Sequence, residues 1–222
     1  MMILFENVLP LTNRQPIKFE CSACGTCCKN VRDSILLEPL DAFRIVQEYI
    51  KDGFRGNAGD VLNQISNLKK LSRGFYVLMM KTVNNSGVCS MLKDNRCTIY
   101  PTRPRTCRLY PFTVDLSDDG HIRWDLCTEQ SHHFGKGSVT AQEWQHRYLS
   151  GEDEEFLREE HKVIPELGRL IRNISDSNLQ EAAKQILLFR YFAYDYLLPF
   201  LSQYKDNMLF LKAQLHRLQQ KQ

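Results

Sequence analysis

The chain has 222 residues, 43% of them hydrophobic and 25% charged, which is enough apolar matter to bury a core and unlike a disordered or fibrous protein. A formal net charge of +3 is too mild to point to nucleic acid or an anionic membrane as partner, and metal held by deprotonated thiols would bring it near neutral. The greasiest run, Leu187–Leu201, carries Arg190 and Asp195 in its middle, so it reads as a buried helix and not as the ~20 apolar residues of a spanning one. Met1–Glu6 is apolar but short and lacks a preceding basic residue, a poor signal peptide. The expectation is a cytoplasmic protein, where thiols stay reduced and a disulfide framework is disfavoured.

In chain order, Cys21 to Cys28 reads as a turn-rich loop in which Gly25 permits a tight backbone path. Pro39 suits a first helical position, and Leu40, Phe43, Val46 and Ile50 recur at helical spacing until Gly53. A second short helix is expected from Asp60 to Leu71, with Val61, Ile65, Leu68 and Leu71 on one side. Phe75–Met80 has the character of a buried strand, followed by a turn at Asn84–Gly87. Short extended pieces carry Cys89 and Cys97 around a turn at Lys93–Asn95. Residues 112–116 and 121–126 form a hairpin closed by Ser117–Gly120, with Cys127 just past it.

From Thr140 the pattern turns helical. Thr140-Ala141-Gln142-Glu143 is a capping box, and Ser177-Asn178-Leu179-Gln180 repeats the device before a long helix through Ile186, Phe189, Tyr191 and Leu197. Pro199 should kink or end that helix; Met208–Leu218 forms the last one, and residues 219–222 fray. The expected fold is α+β: a loop-rich cysteine module with short strands, embedded in a mainly helical protein. Residues 1–139 are expected to form the metal module with its helices and residues 140–222 a helical C-terminal region packed on it as one unit.

The chemistry lies in eight cysteines, all before residue 128: Cys21, Cys24, Cys27, Cys28, Cys89, Cys97, Cys107 and Cys127. Three at C-x2-C-x2-C spacing, Cys21, Cys24 and Cys27, let one loop wrap three irons of a [4Fe–4S] cube with the fourth ligand from elsewhere. Zinc also uses C-x2-C pairs, two from each of two loops. Adjacent side chains point apart, so Cys27 and Cys28 seldom serve one ion. Two centres completed by the later cysteines, or one centre with spare thiols, both accommodate this. All eight cysteines are the candidate ligands, and the expected cofactor is an iron–sulfur cluster, [4Fe–4S] first, with zinc as alternative.

At these residues the chain resembles the CxxCxxCC family, the YkgJ-type proteins described as zinc- or iron-chelating and often as containing an Fe–S cluster. Phe19-Glu20-Cys21-Ser22-Ala23-Cys24-Gly25-Thr26-Cys27-Cys28 matches its first block. Cys89-Ser90-Met91-Leu92, Cys97-Thr98-Ile99-Tyr100, Arg103-Pro104 and Cys107-Arg108-Leu109-Tyr110-Pro111-Phe112 match its second. The resemblance covers roughly residues 19–145. Met91 stands where the family usually has Phe, Pro101 replaces an acidic residue, and no Pro-Gly follows Cys127. Flagellin lysine N-methylase carries the same block, so the resemblance also implies a protein lysine N-methylase-like enzyme with a protein substrate. No glycine-rich strand-to-helix turn for S-adenosylmethionine is visible here.

Arg96, Arg103, Arg105, Arg108 and Arg123 crowd the second block, where guanidinium groups can offset thiolate charge; Arg105 and Arg108 flank Cys107. His132 and His133 follow Cys127 closely and could substitute for a cysteine, but read as polar loop residues because cysteines already suffice. Trp124 and Trp144 read as packing around the module. The partners expected are a protein substrate or adaptor target, not nucleic acid or membrane.

Overall fold

A computed structural model describes residues 7–21, 23–31 and 34–220. The apolar start at residues 1–6 and the last two residues of the tail lie outside the described residues. The elements run β1 (Val8–Leu11), β2 (Ile17–Phe19), α1 (Thr26–Lys29), β3 (Leu36–Leu37), α2 (Pro39–Lys51) and α3 (Ala58–Ile65). There follow β4 (Ser66–Ser72), β5 (Phe75–Met80), β6 (Leu92–Lys93), β7 (Arg96–Cys97), α4 (Arg105–Leu109), β8 (Phe112–Leu116), β9 (Ile122–Cys127) and β10 (Phe134–Val139). The last four helices are α5 (Ala141–Tyr148), α6 (Gly151–Arg172), α7 (Asp176–Leu187) and α8 (Phe200–Gln220). This is the α+β fold the sequence predicts, with small sheets and long helices. No helix among the described residues is long and apolar enough to cross a membrane.

The chain divides into two compact units, one of described residues up to Leu36 with Met80–Leu157, the other of Leu37–Met79 with the described residues from Arg158 on. In the first, the expected hairpin β8–β9 forms in register from Phe112↔Leu126 to Leu116↔Ile122. Cys127 is its last strand residue rather than lying beyond it, because β1 adds on the far side and pairs Val8 with Cys127. A second pair, β2 with β10, sets Phe19 opposite Phe134. Gly137, at φ +65°, lets the irregular β10 pass β2, for a Cβ there would stand 2.8 Å from the Phe19 carbonyl oxygen. Ile17, Phe19, Phe112, Val114, Trp124, Leu126, Val139 and Trp144 make one buried cluster. The Thr140 box forms as expected: the Thr140 hydroxyl accepts from Glu143 N at 3.2 Å and Glu143 Oε2 accepts from Thr140 N at 2.7 Å.

In the second unit α2 begins at Pro39 and buries Leu40, Phe43 and Val46, whereas Ile50 is left 38% exposed. The helix expected over Asp60–Leu71 is shorter and starts earlier. Asn57 and Asp60 make its capping box, and at Ile65 the chain turns into β4, whose Leu68 and Leu71 are exposed. Pairing with β5, in the order β3-β5-β4, wins over helical spacing; Ser66 Oγ donates to Leu62 O at 2.7 Å as the helix closes. The lysines of β4 suit a sheet edge.

The run from Leu187 to Leu201 is not one buried helix. A π-helical turn covers Leu188–Phe192, the backbone leaves the helix at Ala193, and Leu197 is 86% exposed. Pro199 cannot donate to a helical carbonyl, while Asp195 Oδ1 accepts from Leu197 N and Gln203 Oε1 from Asp195 N, which satisfies the break. The next helix therefore begins at Phe200, eight residues before Met208, and stays helical through Gln219 and Gln220. The Ser177 box does not form either: α7 caps at Ser175, and Ser177 Oγ lies 2.9 Å from Ser175 Oγ. Inside this unit Arg190, 3% exposed, donates twice to Glu160, both bonds 2.9 Å, and the Tyr204 hydroxyl donates to the same carboxylate.

Candidate metal centre

The cysteine loop hangs from β2. Phe19 is buried against Tyr110, His133, Phe134 and Trp144, with ring centroids 5.6–6.3 Å away. Six residues on, Gly25 takes φ +72° as the residue before α1, a left-handed turn that aims Cys27 and Cys28 from the start of a short helix. Beside it passes the β6–β7 turn: a Cβ on Gly25 would stand 3.4 Å from Asn95 O and from Leu92. Cys89 N donates to Cys28 O at 2.7 Å and Val31 N to Gly87 O at 2.7 Å, stitching the early loop to the Cys89 segment. Cys97 sits in β7 opposite Leu92, Cys107 in α4, and Cys127 N donates to Pro111 O at 2.8 Å.

These constraints make one cavity of about 620 Å³ whose wall includes Cys21, Cys27, Cys28, Cys89, Cys97, Cys107 and Cys127. Seven of the eight cysteines thus line one cavity, although they span more than one hundred residues of sequence. Their protonation tells what they need. A hydrogen bond from the Cys28 thiol holds Cys27 down at about 7 and raises Cys28, further pushed up by burial and by the proximity of the other ionisable thiols Cys27, Cys107 and Cys89. Burial first, and neighbouring negative groups after it, also raise Cys89, Cys97 and Cys127. So many thiols can ionise together only around a cation. The donor set fits a thiophilic metal or cluster, whose charge replaces the protons.

Two arginines divide the supporting work. Arg108 is committed to Asp153, bonded at 2.8 and 3.3 Å with the carboxylate 1% exposed, and it also donates to Tyr148 O. It holds α4, and with it Cys107, in place. Arg103 lines the cavity with its guanidinium 3.8 Å from the Tyr100 ring centre, and its buried Nε has no hydrogen-bond partner. Its positive charge favours the thiolate of Cys97 against the effect of burial. Arg123 pairs instead with Asp115 and Asp125 on the hairpin. Trp144 lines the cavity and donates to Leu109 O at 2.9 Å, whereas Trp124 is fully buried in the core behind it.

The eighth cysteine faces elsewhere. Cys24 Sγ lies 3.1 Å from Thr26 Oγ1, 3.1 Å from His133 Nε2 and 3.8 Å from His132 Nε2. Hydrogen bonds from Thr26 first, then from the two imidazoles, draw its thiol down to about 5. The sequence treats both histidines as polar loop residues, yet the structure brings them to the cysteine loop from 108 and 109 residues away. Nothing in local spacing signals this.

A cysteine-rich domain that binds zinc or iron is what the fold and the thiol cavity define. The chain belongs to the CxxCxxCC family, whose description reads "Putative zinc- or iron-chelating domain", matched over residues 20–140. A protein of Methanocaldococcus jannaschii described as uncharacterized is 26% identical over 166 residues, covering 68% of this chain and 82% of the relative. No solved structure matches.

Proposed function

We propose that the cavity holds an iron–sulfur cluster, [4Fe–4S] in type, ligated by four of its seven thiols drawn from both blocks. The early loop offers Cys21, Cys27 and Cys28; the later block offers Cys89, Cys97, Cys107 and Cys127. The observation that carries this reading is the convergence of seven thiols on about 620 Å³. A structural zinc takes four ligands and closes on them at ~2.3 Å, which would leave most of that volume unused. A cube spreads its four thiolates over four irons and accepts hydrogen bonds at sulfur, the role open to Arg103. Bound there, a cluster supplies one-electron exchange or, with one iron open, a Lewis-acid position. Tyr100, Tyr110 and Tyr148 line the rest of the cavity and leave room beside the cluster for an organic ligand. Eight free cysteines accord with a reducing, cytoplasmic setting.

Anaerobic purification followed by absorbance, iron, zinc and acid-labile sulfide analysis tests the reading. A brown protein with about four irons and four sulfides per chain supports it. A colourless, zinc-loaded protein transfers the site to the zinc reading, and a folded protein with neither element refutes both.

A further inference from the structure

Cys24 is the one cysteine that does not line the cavity. Its sulfur and the nitrogens of His132 and His133 all lie within 4.8 Å of one another, and no other cysteine, histidine or carboxylate joins that group among the described residues. A tetrahedral ion with Zn–S near 2.3 Å and Zn–N near 2.05 Å would set its sulfur and nitrogens about 3.6 Å apart. The two separations here, 3.1 and 3.8 Å, bracket that distance. An ion could enter with small side-chain shifts and no rebuilding of the loop.

The ligands are held from behind. His133 is 8% exposed, its ring edge-on to Phe19 and to Tyr110 at 6.2 and 5.7 Å. The Tyr110 hydroxyl lies 3.2 Å from His133 Nδ1. With the proton on Nδ1 donated to Tyr110, the free lone pair is on Nε2, the atom that faces Cys24. Metal-binding imidazoles are oriented by this kind of outer contact. On the loop side, positive φ at Ala23 (51°) and Gly25 (72°) flanks Cys24 and turns it away from its neighbours. His132 is exposed, so the approach from its side is open to solvent.

We propose that Cys24, His132 and His133 form a separate mononuclear site for a borderline-soft divalent cation, zinc above all. One thiolate and two imidazoles suit zinc and ferrous iron, and do not suit calcium or magnesium, which take oxygen ligands. Three protein ligands leave the fourth position for water or a substrate atom, the pattern of zinc sites that polarise a bound group rather than brace a fold. The site does not depend on which metal the thiol cavity holds.

Cobalt(II) titration of anaerobically purified protein, after a mild chelator has removed weakly held ions, reads the site directly. The wild-type chain should bind one more equivalent than the His132→Ala/His133→Ala double variant. That equivalent should show the intense visible bands of a tetrahedral ion and a thiolate charge-transfer band, which Cys24→Ser abolishes. The iron, sulfide or zinc of the thiol cavity should be the same in all of them. Tyr110→Phe keeps the ring and should weaken cobalt binding about 10-fold or more. Equal cobalt binding and spectra in wild type and double variant overturn the proposal. So does loss of the cavity's own metal in Cys24→Ser, which would place Cys24 in that centre. So, finally, does a wild-type chain that binds no extra ion while its Cys24 is selectively alkylated, since the trio would then be a hydrogen-bonded thiolate.

Discussion

Asp153→Ala removes a carboxylate that is 1% exposed and that ties the Cys107 helix to the start of α6. At least four hydrogen bonds go with it: from Arg108 Nη2 at 2.8 Å, Arg108 Nη1 at 3.3 Å, Ser150 N at 2.9 Å and Ser150 Oγ at 2.7 Å. Removing one partner of a buried ion pair costs ~3–5 kcal/mol, because the other charge stays behind without compensation. Arg108 keeps 16% exposure and its bond to Tyr148 O, which brings the expected loss to the lower end, about 3 kcal/mol. Both tryptophans lie in the first unit, so their fluorescence follows the unfolding of that unit. With a urea slope of about 1–3 kcal/mol per molar, the midpoint should fall by roughly 1–3 M at matched metal content. Arg108→Ala should cost somewhat less, since Ser150 still donates to the carboxylate. The double variant should lose clearly less than the two single losses added together. A loss under about 1 kcal/mol for Asp153→Ala, or strict additivity, would refute the claim that this pair holds α4.

In metal-free protein Cys24 should alkylate with iodoacetamide along a titration centred near pH 5 instead of the ordinary 9.0, and its thiolate persists at neutral pH and is lost only as the pH falls through that value. Replacing His132 and His133 by alanine should move the curve upward, read by mass spectrometry; an unmoved curve would remove the imidazoles as the cause. Gly25→Ala meets no clash, its Cβ contacts being 3.4 Å or more, but φ +72° costs an L-residue ~1–2 kcal/mol. Metal loss to a chelator should then quicken by roughly 5–30-fold, whereas an unchanged rate would mean that the loop does not need the left-handed turn. Glu160→Ala leaves Arg190, 3% exposed, without its carboxylate, and should destabilise the second unit by ~3–5 kcal/mol, seen as earlier loss of helical circular dichroism in urea. A shift worth under about 1 kcal/mol would assign the pair no structural weight.

Much of the local structure was legible before any coordinates. Pro39 starts α2, residues 112–126 form their hairpin, and Thr140 with Glu143 caps α5, because each device acts within a few residues. The errors share a cause. Leu68 and Leu71 keep helical spacing but pair as an edge strand, since Phe75–Met80 offers backbone partners that a spacing count does not see. Leu187–Leu201 is apolar enough for a core helix, yet Pro199 and the Asp195–Gln203 contacts open it and expose Leu197. Ser177 matches a capping box, but Ser175 already takes the extended backbone that a cap needs.

For the metal chemistry the division is similar. C-x2-C-x2-C-C followed by four later cysteines already implies thiolate ligation, since such a density of soft donors at metal-ligand spacing is what a thiophilic ion or cluster needs. Composition and motif therefore determined the class of chemistry and the family. Only the tertiary structure decided that seven thiols line one cavity, that Arg103 lines it beside them, and that Cys24 turns to His132 and His133. Ligand type is a property of single residues, but a coordination sphere is a meeting of segments more than one hundred residues apart. That meeting depends on strand pairing, a left-handed turn at Gly25 and the packing of Phe19, none of which is encoded in the spacing of the cysteines.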